Sequence, residues 1–453
     1  MNGVVLVTDS MRADHLGCHP LCVSHHGRRV ETPHLDALAA EGTLFEEAYG
    51  GSLPTIPMRA DAWSGRYGTP FHGWQPFDPQ QCLLAECLWS QGFTSALFTD
   101  VYHMHKPGFN CGRGFDTTVF IRGQEYDPWQ VDEAAPVDLD RWHRLKHGEE
   151  RATSDEFWRE RFEQYLRNRS TFAGGDDCFT ARVMKEAIRW LERTVETRGI
   201  RDGLFLWIDC FDPHEPWDPP EPWWSMYAPE RGTVQDLIDP VPGPPEGYLT
   251  DEEIARVFSL YAGEVTMVDH WAGVLFDVLR ELDLMDNTVV THISDHGEPF
   301  NEHGIVRKAR PWLYEELTHI PWTIRHPEIG GGRRSDAFVQ PPDLMPTLLD
   351  FLGAEPPEGA DFHGVSLRPL MQGKTDAVRE FACSGMGPQW AIRTREWSLL
   401  LPIRQAANAA RTGRPELYDR RNDLYEQNNL IDEHPDVAED LERQLRQWAA
   451  EKT

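Results

Sequence analysis

Short apolar runs that close in a carboxylate punctuate the chain: residues 4–7 lead to Asp9, 95–98 to Asp100, 204–208 to Asp209 and 288–293 to Asp295. Their length and composition predict buried strands. Helical patterns, such as Pro33–Glu41 and residues 181–196, lie between them. The alternation predicts an α/β fold, a large and mostly parallel sheet sandwiched by helices, where ligands sit beyond the carboxyl ends of the strands. The four acids would then share one edge.

Thr32-Pro33 reads as an N-cap followed by a first-turn proline, and Gly42 as the stop of that helix. Residues 122–175 are polar and rich in Asp, Arg and Trp, with a helical pattern near 155–167, and read as an insertion over the sheet edge. Ten prolines between Pro213 and Pro245, with Trp217, Trp223 and Trp224, predict a stiff surface loop whose aromatic residues either rim the site for an organic leaving group or pack within the loop itself. Past about residue 372 the parallel rhythm stops. A strand over 390–401 and a charged helix over 434–451 predict a small α+β subdomain at 373–453, behind a catalytic domain at 1–372.

Composition narrows the function. Among 453 residues, 44 Lys and Arg face 74 Asp and Glu, a net charge of −30 that repels nucleic acid and anionic membranes. The start lacks a secretory pattern and no run reaches membrane-spanning length, so no membrane partner is expected. The eight cysteines show neither metal spacing nor disulfide density, which predicts reduced thiols in a cytoplasmic protein.

Asp9 at one strand end and the Asp295-His296 pair at another offer two hard oxygens and an imidazole nitrogen, a donor set suited to a divalent cation. Taken singly, each carboxylate is equally a helix cap or a salt-bridge partner. The segment Thr55-Ile56-Pro57-Met58-Arg59 changes the weighing.

With that segment the chain resembles the sulfatase family of the alkaline phosphatase superfamily, whose Cys-x-Pro-Ser-Arg motif opens a helix and whose cysteine becomes formylglycine. The resemblance continues through residues 32–39, Phe211-Asp212-Pro213-His214, Ser294 to Gly304, and Glu416-Leu417-Tyr418-Asp419 to Leu430, with 122–175 matched least. It implies the alkaline phosphatase/sulfatase-like fold and an enzyme acting on small anionic esters. It further implies Thr55 as nucleophile, Arg59 on the equatorial oxygens, His214 and His103 near the leaving group, and Lys308 near substrate. Tyr102, His105 and Lys106 stand as alternatives to His103, and His72 and His319 as weaker candidates.

Asp9, Thr55, Asp295 and His296 are the metal ligands so implied. Thr8 and Ser10 flank Asp9, so a tandem Asp is missing, and this shifts the expectation from calcium, still admitted, toward manganese or zinc. None of the 19 histidines follows an Asp by four positions, the spacing common in two-metal relatives, so one metal ion is expected. No cysteine has a Pro two and an Arg four positions later, so formylglycine has no standard site. A phosphothreonine can be hydrolysed by water, whereas a threonine sulfate lacks the gem-diol route for expelling sulfate. The expected function is therefore hydrolysis of phosphodiesters or phosphonate monoesters. The rivals are a sulfatase working without formylglycine and a catalytically silent binding protein; a homo-oligomer is compatible with any of them.

Overall fold

The apolar runs fold into strands that bury both faces. The computed structural model describes residues 1–453 except 69–72, 136, 146–151, 175, 229–235, 309–312, 404–413 and 453, together with the side chains of 152–155. His72, a weaker candidate, lies outside the described residues. Strand β1 (Asn2–Thr8) is buried along its whole length, and a small hairpin of β2 (Ser24–His25) and β3 (Arg28–Arg29) follows it. The main sheet continues with β4 (Thr43–Ala48), β5 (Thr94–Thr99), β6 (Thr117–Phe120), β7 (Leu204–Cys210), β8 (Thr288–Ser294), β9 (Trp322–Arg325) and β10 (Arg333–Val339). Its order is β10-β4-β9-β8-β1-β7-β5-β6. Only β9 among these runs against the rest.

Register decides what this sheet presents. Val7 of β1 pairs with Asp209 of β7, and Thr8 pairs with Ser294 of β8. Asp9, Asp209 and Asp295 therefore arrive side by side at the carboxyl edge. Helices cover both faces, among them Pro33–Glu41, Phe179–Glu196 and the long Asp251–Glu281.

Local expectations need four corrections. Thr32 does not cap its helix: its hydroxyl donates to Asp36 (2.8 Å), and Asp269, from the long helix, accepts the His34 and Leu35 N–H groups instead (3.1 and 2.7 Å). Gly42 does end the helix, and a Cβ there would meet the Ile324 carbonyl oxygen at 2.4 Å, so only glycine allows this approach to β9. Residues 122–175 are more than an edge insertion, because helix Ala152–Arg169 sends Phe162, Tyr165 and Leu166 into the main core. The proline-rich stretch turns its tryptophans inward: Trp217, Trp223 and Trp224 are buried, and the latter two start a short helix, Trp223–Met226.

The span 390–401 is two strands, because the chain reverses where Thr394 N–H meets the Trp397 carbonyl (2.9 Å). An antiparallel sheet results, made of β11 (Ala382–Met386), β12 (Gln389–Arg393), β13 (Trp397–Pro402) and β14 (Glu416–Asp419), with helix Pro435–Glu451 packed on it. Strand β11 clasps the chain just before Thr55: Leu53 N–H donates to the Gly385 carbonyl (2.9 Å), and Gly385 N–H to that of Gly51 (2.8 Å). A buried charge network joins the same regions. Glu426 accepts from Arg393 (2.9 Å), from Glu315 N–H (2.8 Å) and from Ser398.

Replacing Glu426 by Ala strands the fully buried Arg393 guanidinium, for which Glu315 at 3.4 Å is the remaining carboxylate. Urea unfolding should show a loss of about 3 kcal/mol; an unchanged midpoint would remove this network from the account of stability.

Candidate active site

The three edge carboxylates are fully buried, and one cation sits among them. Arg59 lies one turn into helix Thr55–Ser64. Its Nε and Nη2 grip Asp209, Nη2 also reaches Asp9 (3.2 Å), and Nη1 donates to Asp295 (2.7 Å) and to the Thr55 carbonyl (2.9 Å). A guanidinium has about five N–H bonds, and each here ends on a protein acceptor. Arg59 is therefore not free to hold a substrate's equatorial oxygens, the task expected for it from the sequence; it holds the carboxylates and the start of the helix that carries Thr55.

Asp9, Asp295 and His296 could together hold a metal ion, since a donor atom from each lies within 4.8 Å of the others. His296 Nδ1 donates to the Gly297 carbonyl (2.8 Å), which leaves the Nε2 lone pair facing Asp9 and Asp295 at 3.6 Å each. That nitrogen is buried without a hydrogen bond, an arrangement a cation would satisfy. Burial pushes His296 down to about 4, so the imidazole is neutral as a ligand must be. Burial and the charge of Asp295 push Asp9 well up, while His296 and Arg59 outweigh burial to hold Asp295 down. The donor set therefore fits a divalent cation.

Ser10 links this group to Lys308. Its backbone is left-handed (φ 65°), its N–H donates to Asp295 (2.9 Å), and its hydroxyl receives the Lys308 ammonium at 3.0 Å while lying 3.2 Å from Asp9. Lys308 also meets Glu298 at 3.2 Å. Against the penalty of burial, Glu215, Glu298, Asp9 and Asp295 keep it charged, with a raised pKa. The neighbouring Arg307 turns away onto Glu215 and Asp239, so the two adjacent cations have separate tasks.

Thr55 opens its helix, is 3% exposed, and its hydroxyl makes no hydrogen bond to any described residue. Asp61, two turns along the same helix, fixes the preceding loop by accepting from Ser52 N–H and Oγ, each at 2.7 Å. His214 stacks on Phe211 (ring centroids 4.0 Å apart) and donates through Nδ1 to the Glu215 carbonyl. Burial pushes it down to about 3, so it offers a lone pair rather than the proton expected for a leaving group.

His103 Nε2 meets Glu125 at 3.1 Å, and the Glu125 charge also acts on His214. Its rivals point elsewhere: His105 stacks on Phe120 at 4.0 Å, Tyr102 packs on Tyr126, and Lys106 is exposed. His319 is held by Glu315 and by the Glu46 carbonyl beside Tyr49, a packing role.

The Sulfatase family model matches residues 1–354, and that for the C-terminal region of N-sulphoglucosamine sulphohydrolase matches 301–451. The chain belongs to the sulfatase family. As a member it is an ester hydrolase acting on sulfate or phosphorus esters, of a superfamily whose enzymes use a divalent metal. It is 26% identical over 416 residues to an arylsulfatase of Clostridium perfringens, across 84% of this chain and 80% of that protein. It is 27% identical over 416 residues to the multifunctional alkaline phosphatase superfamily protein PehA of Trinickia caryophylli, across 82% and 77%. The phosphonate monoester hydrolase SpPMH of Silicibacter pomeroyi shares the fold, with a TM-score of 0.73 and 22% identity, over all of this chain and 95% of that one. No helix among the described residues is long and apolar enough to cross a membrane.

The sequence placed Asp209 at this edge without giving it a task, and left Ser10, Glu125, Glu215 and Glu298 unnoticed beside it. Asp209 had a signal, since it ends one of the four apolar runs; Glu125, in the least matched segment, had none. Replacing His296 by Ala should leave the secondary structure intact by circular dichroism and reduce bound divalent metal, measured by elemental analysis after dialysis, at least ~10-fold. Full metal occupancy in that variant would exclude His296 as a ligand.

Proposed function

We propose that this protein hydrolyses phosphodiesters or phosphonate monoesters, with Thr55 as nucleophile. The observation that carries the reading is the unbonded Thr55 hydroxyl at a helix start, tied through Arg59 to the Asp9, Asp295 and His296 group, where a formylglycine cysteine would otherwise stand. A divalent cation held there would lower the pKa of the threonine hydroxyl and offset the charge of the arriving ester. Two carboxylates with one imidazole favour manganese or zinc over calcium.

As Thr55 Oγ attacks phosphorus and the bond to the leaving oxygen breaks, the Oγ–H proton passes to neutral His214 and from it to that oxygen. Water then attacks the phosphothreonine, the P–Oγ bond breaks, and the proton returns to Thr55. Lys308 is the charged side chain placed to meet the ester's non-bridging oxygens. In the second step neutral His214 takes the proton of the attacking water and returns it to Thr55 Oγ. With Arg59 spent on carboxylates, the site suits an ester bearing one negative charge better than a phosphate monoester dianion.

Thr55→Ala should abolish turnover while metal binding persists; retention of the original kcat would reject the nucleophile. The kcat/KM for an aryl phosphodiester or phenylphosphonate should exceed that for the matching aryl sulfate by at least ~100-fold, about 2.7 kcal/mol in transition-state stabilisation. Steady multiple turnover of the sulfate at an equal rate would instead establish a sulfatase that works through threonine, the activity named for the Clostridium perfringens relative.

A further inference from the structure

Beside the cleft lies a pocket built in part by helix Ala152–Arg169, whose lining includes Glu125, Tyr126, Trp158, Arg161, Glu215 and Arg307. It adjoins the reaction site through two shared residues. Glu125 holds His103, and Glu215 contacts both His214 and Lys308. We propose that Arg161 makes this pocket an oxyanion subsite, selecting esters whose leaving group carries a carboxylate or a comparable anion. The proposal rests on the reading of the cleft as an ester hydrolase site and adds the class of leaving group.

Charge pairing in the pocket leaves Arg161 with donors to spare. Arg307 consumes Glu215 and Asp239. Glu125 is met by His103 at 3.1 Å, whereas Arg161 stands 3.8 Å from it, beyond hydrogen-bond reach. No N–H of Arg161 hydrogen-bonds to any described residue, yet the side chain is fixed in place. Its guanidinium lies 3.4 Å from the Tyr126 ring centroid, 4.7 Å from that of Phe157 and 5.0 Å from that of Trp158. Stacking of this kind orients the planar fork while leaving its edge open. The side chain is 22% exposed, so a ligand can reach it. A fork of unspent donors matches an oxyanion bidentately.

The test compares phenyl and 4-carboxyphenyl esters of phenylphosphonic acid, or the same pair as sulfates if sulfur esters prove to be the substrates, in the metal-loaded enzyme. Arg161→Ala should lower kcat/KM for the carboxylated ester at least ~10-fold more than for the plain phenyl ester, the worth of a charge-assisted bidentate contact. Arg161→Lys should recover only part of that selectivity. Equal losses on both esters would overturn the proposal and leave Arg161 a structural partner of Glu125. Benzoate binding, followed by tryptophan fluorescence, provides a readout independent of turnover. Saturable quenching that weakens in Arg161→Ala supports the subsite even if neither ester class is hydrolysed, an outcome that would reject only the proposed reaction. Benzoate affinity unchanged by the substitution would reject the subsite.

Discussion

Three carboxylates forced together in a dry place govern this molecule. Strands β7, β1 and β8 are neighbours in register, so Asp209, Asp9 and Asp295 converge at the same edge and are fully buried there. Two like charges about 4 Å apart repel by roughly 4 kcal/mol even at an effective dielectric of about 20. Arg59 offsets that repulsion and, one helical turn back, binds the carbonyl of Thr55. The cation that makes the edge tolerable thus also fixes the start of the helix that carries Thr55. Asp9 and Asp295 remain partly under-compensated on the side where His296 aims its free nitrogen, and it is this residual negative charge that a divalent ion would answer.

Much of this was legible because it is written in short range. Buried parallel strands need uninterrupted apolar residues, and the acids after them stand out by contrast, so Asp9, Asp295 and His296 could be picked from the sequence as the candidate group that the fold then brings together. The losses came where a partner is distant in sequence. Thr32 seemed a cap until Asp269, more than two hundred residues away, was found on the helix N–H groups. Arg59 was assigned to substrate because sequence does not show that three acids on separate strands would consume its donors. The tryptophans of the proline-rich stretch suggested a rim, yet Trp217 packs on Tyr261 and Phe300 from later elements. Strands β4, β9 and β10 escaped notice because charged residues interrupt their apolar pattern or their runs are short.

Arg307 and Lys308 show the same limit at single-residue scale. Adjacent in sequence, they diverge because Arg307 adopts a left-handed backbone (φ 63°), which sends one side chain to Glu215 and Asp239 and the next to Ser10. Spacing arguments treat such neighbours as interchangeable. Only the turn between them assigns one to scaffolding and the other to the cleft.

The clasp between Gly385 and the backbone at Gly51 and Leu53 bears on the order in which the protein becomes competent during its synthesis. Thr55 is made before the strand that seats its loop, which lies more than three hundred residues further along the chain. A nascent chain lacks this seat until β11 has emerged and paired, so the backbone at Gly51 and Leu53 takes its final place only when the second sheet folds against the first.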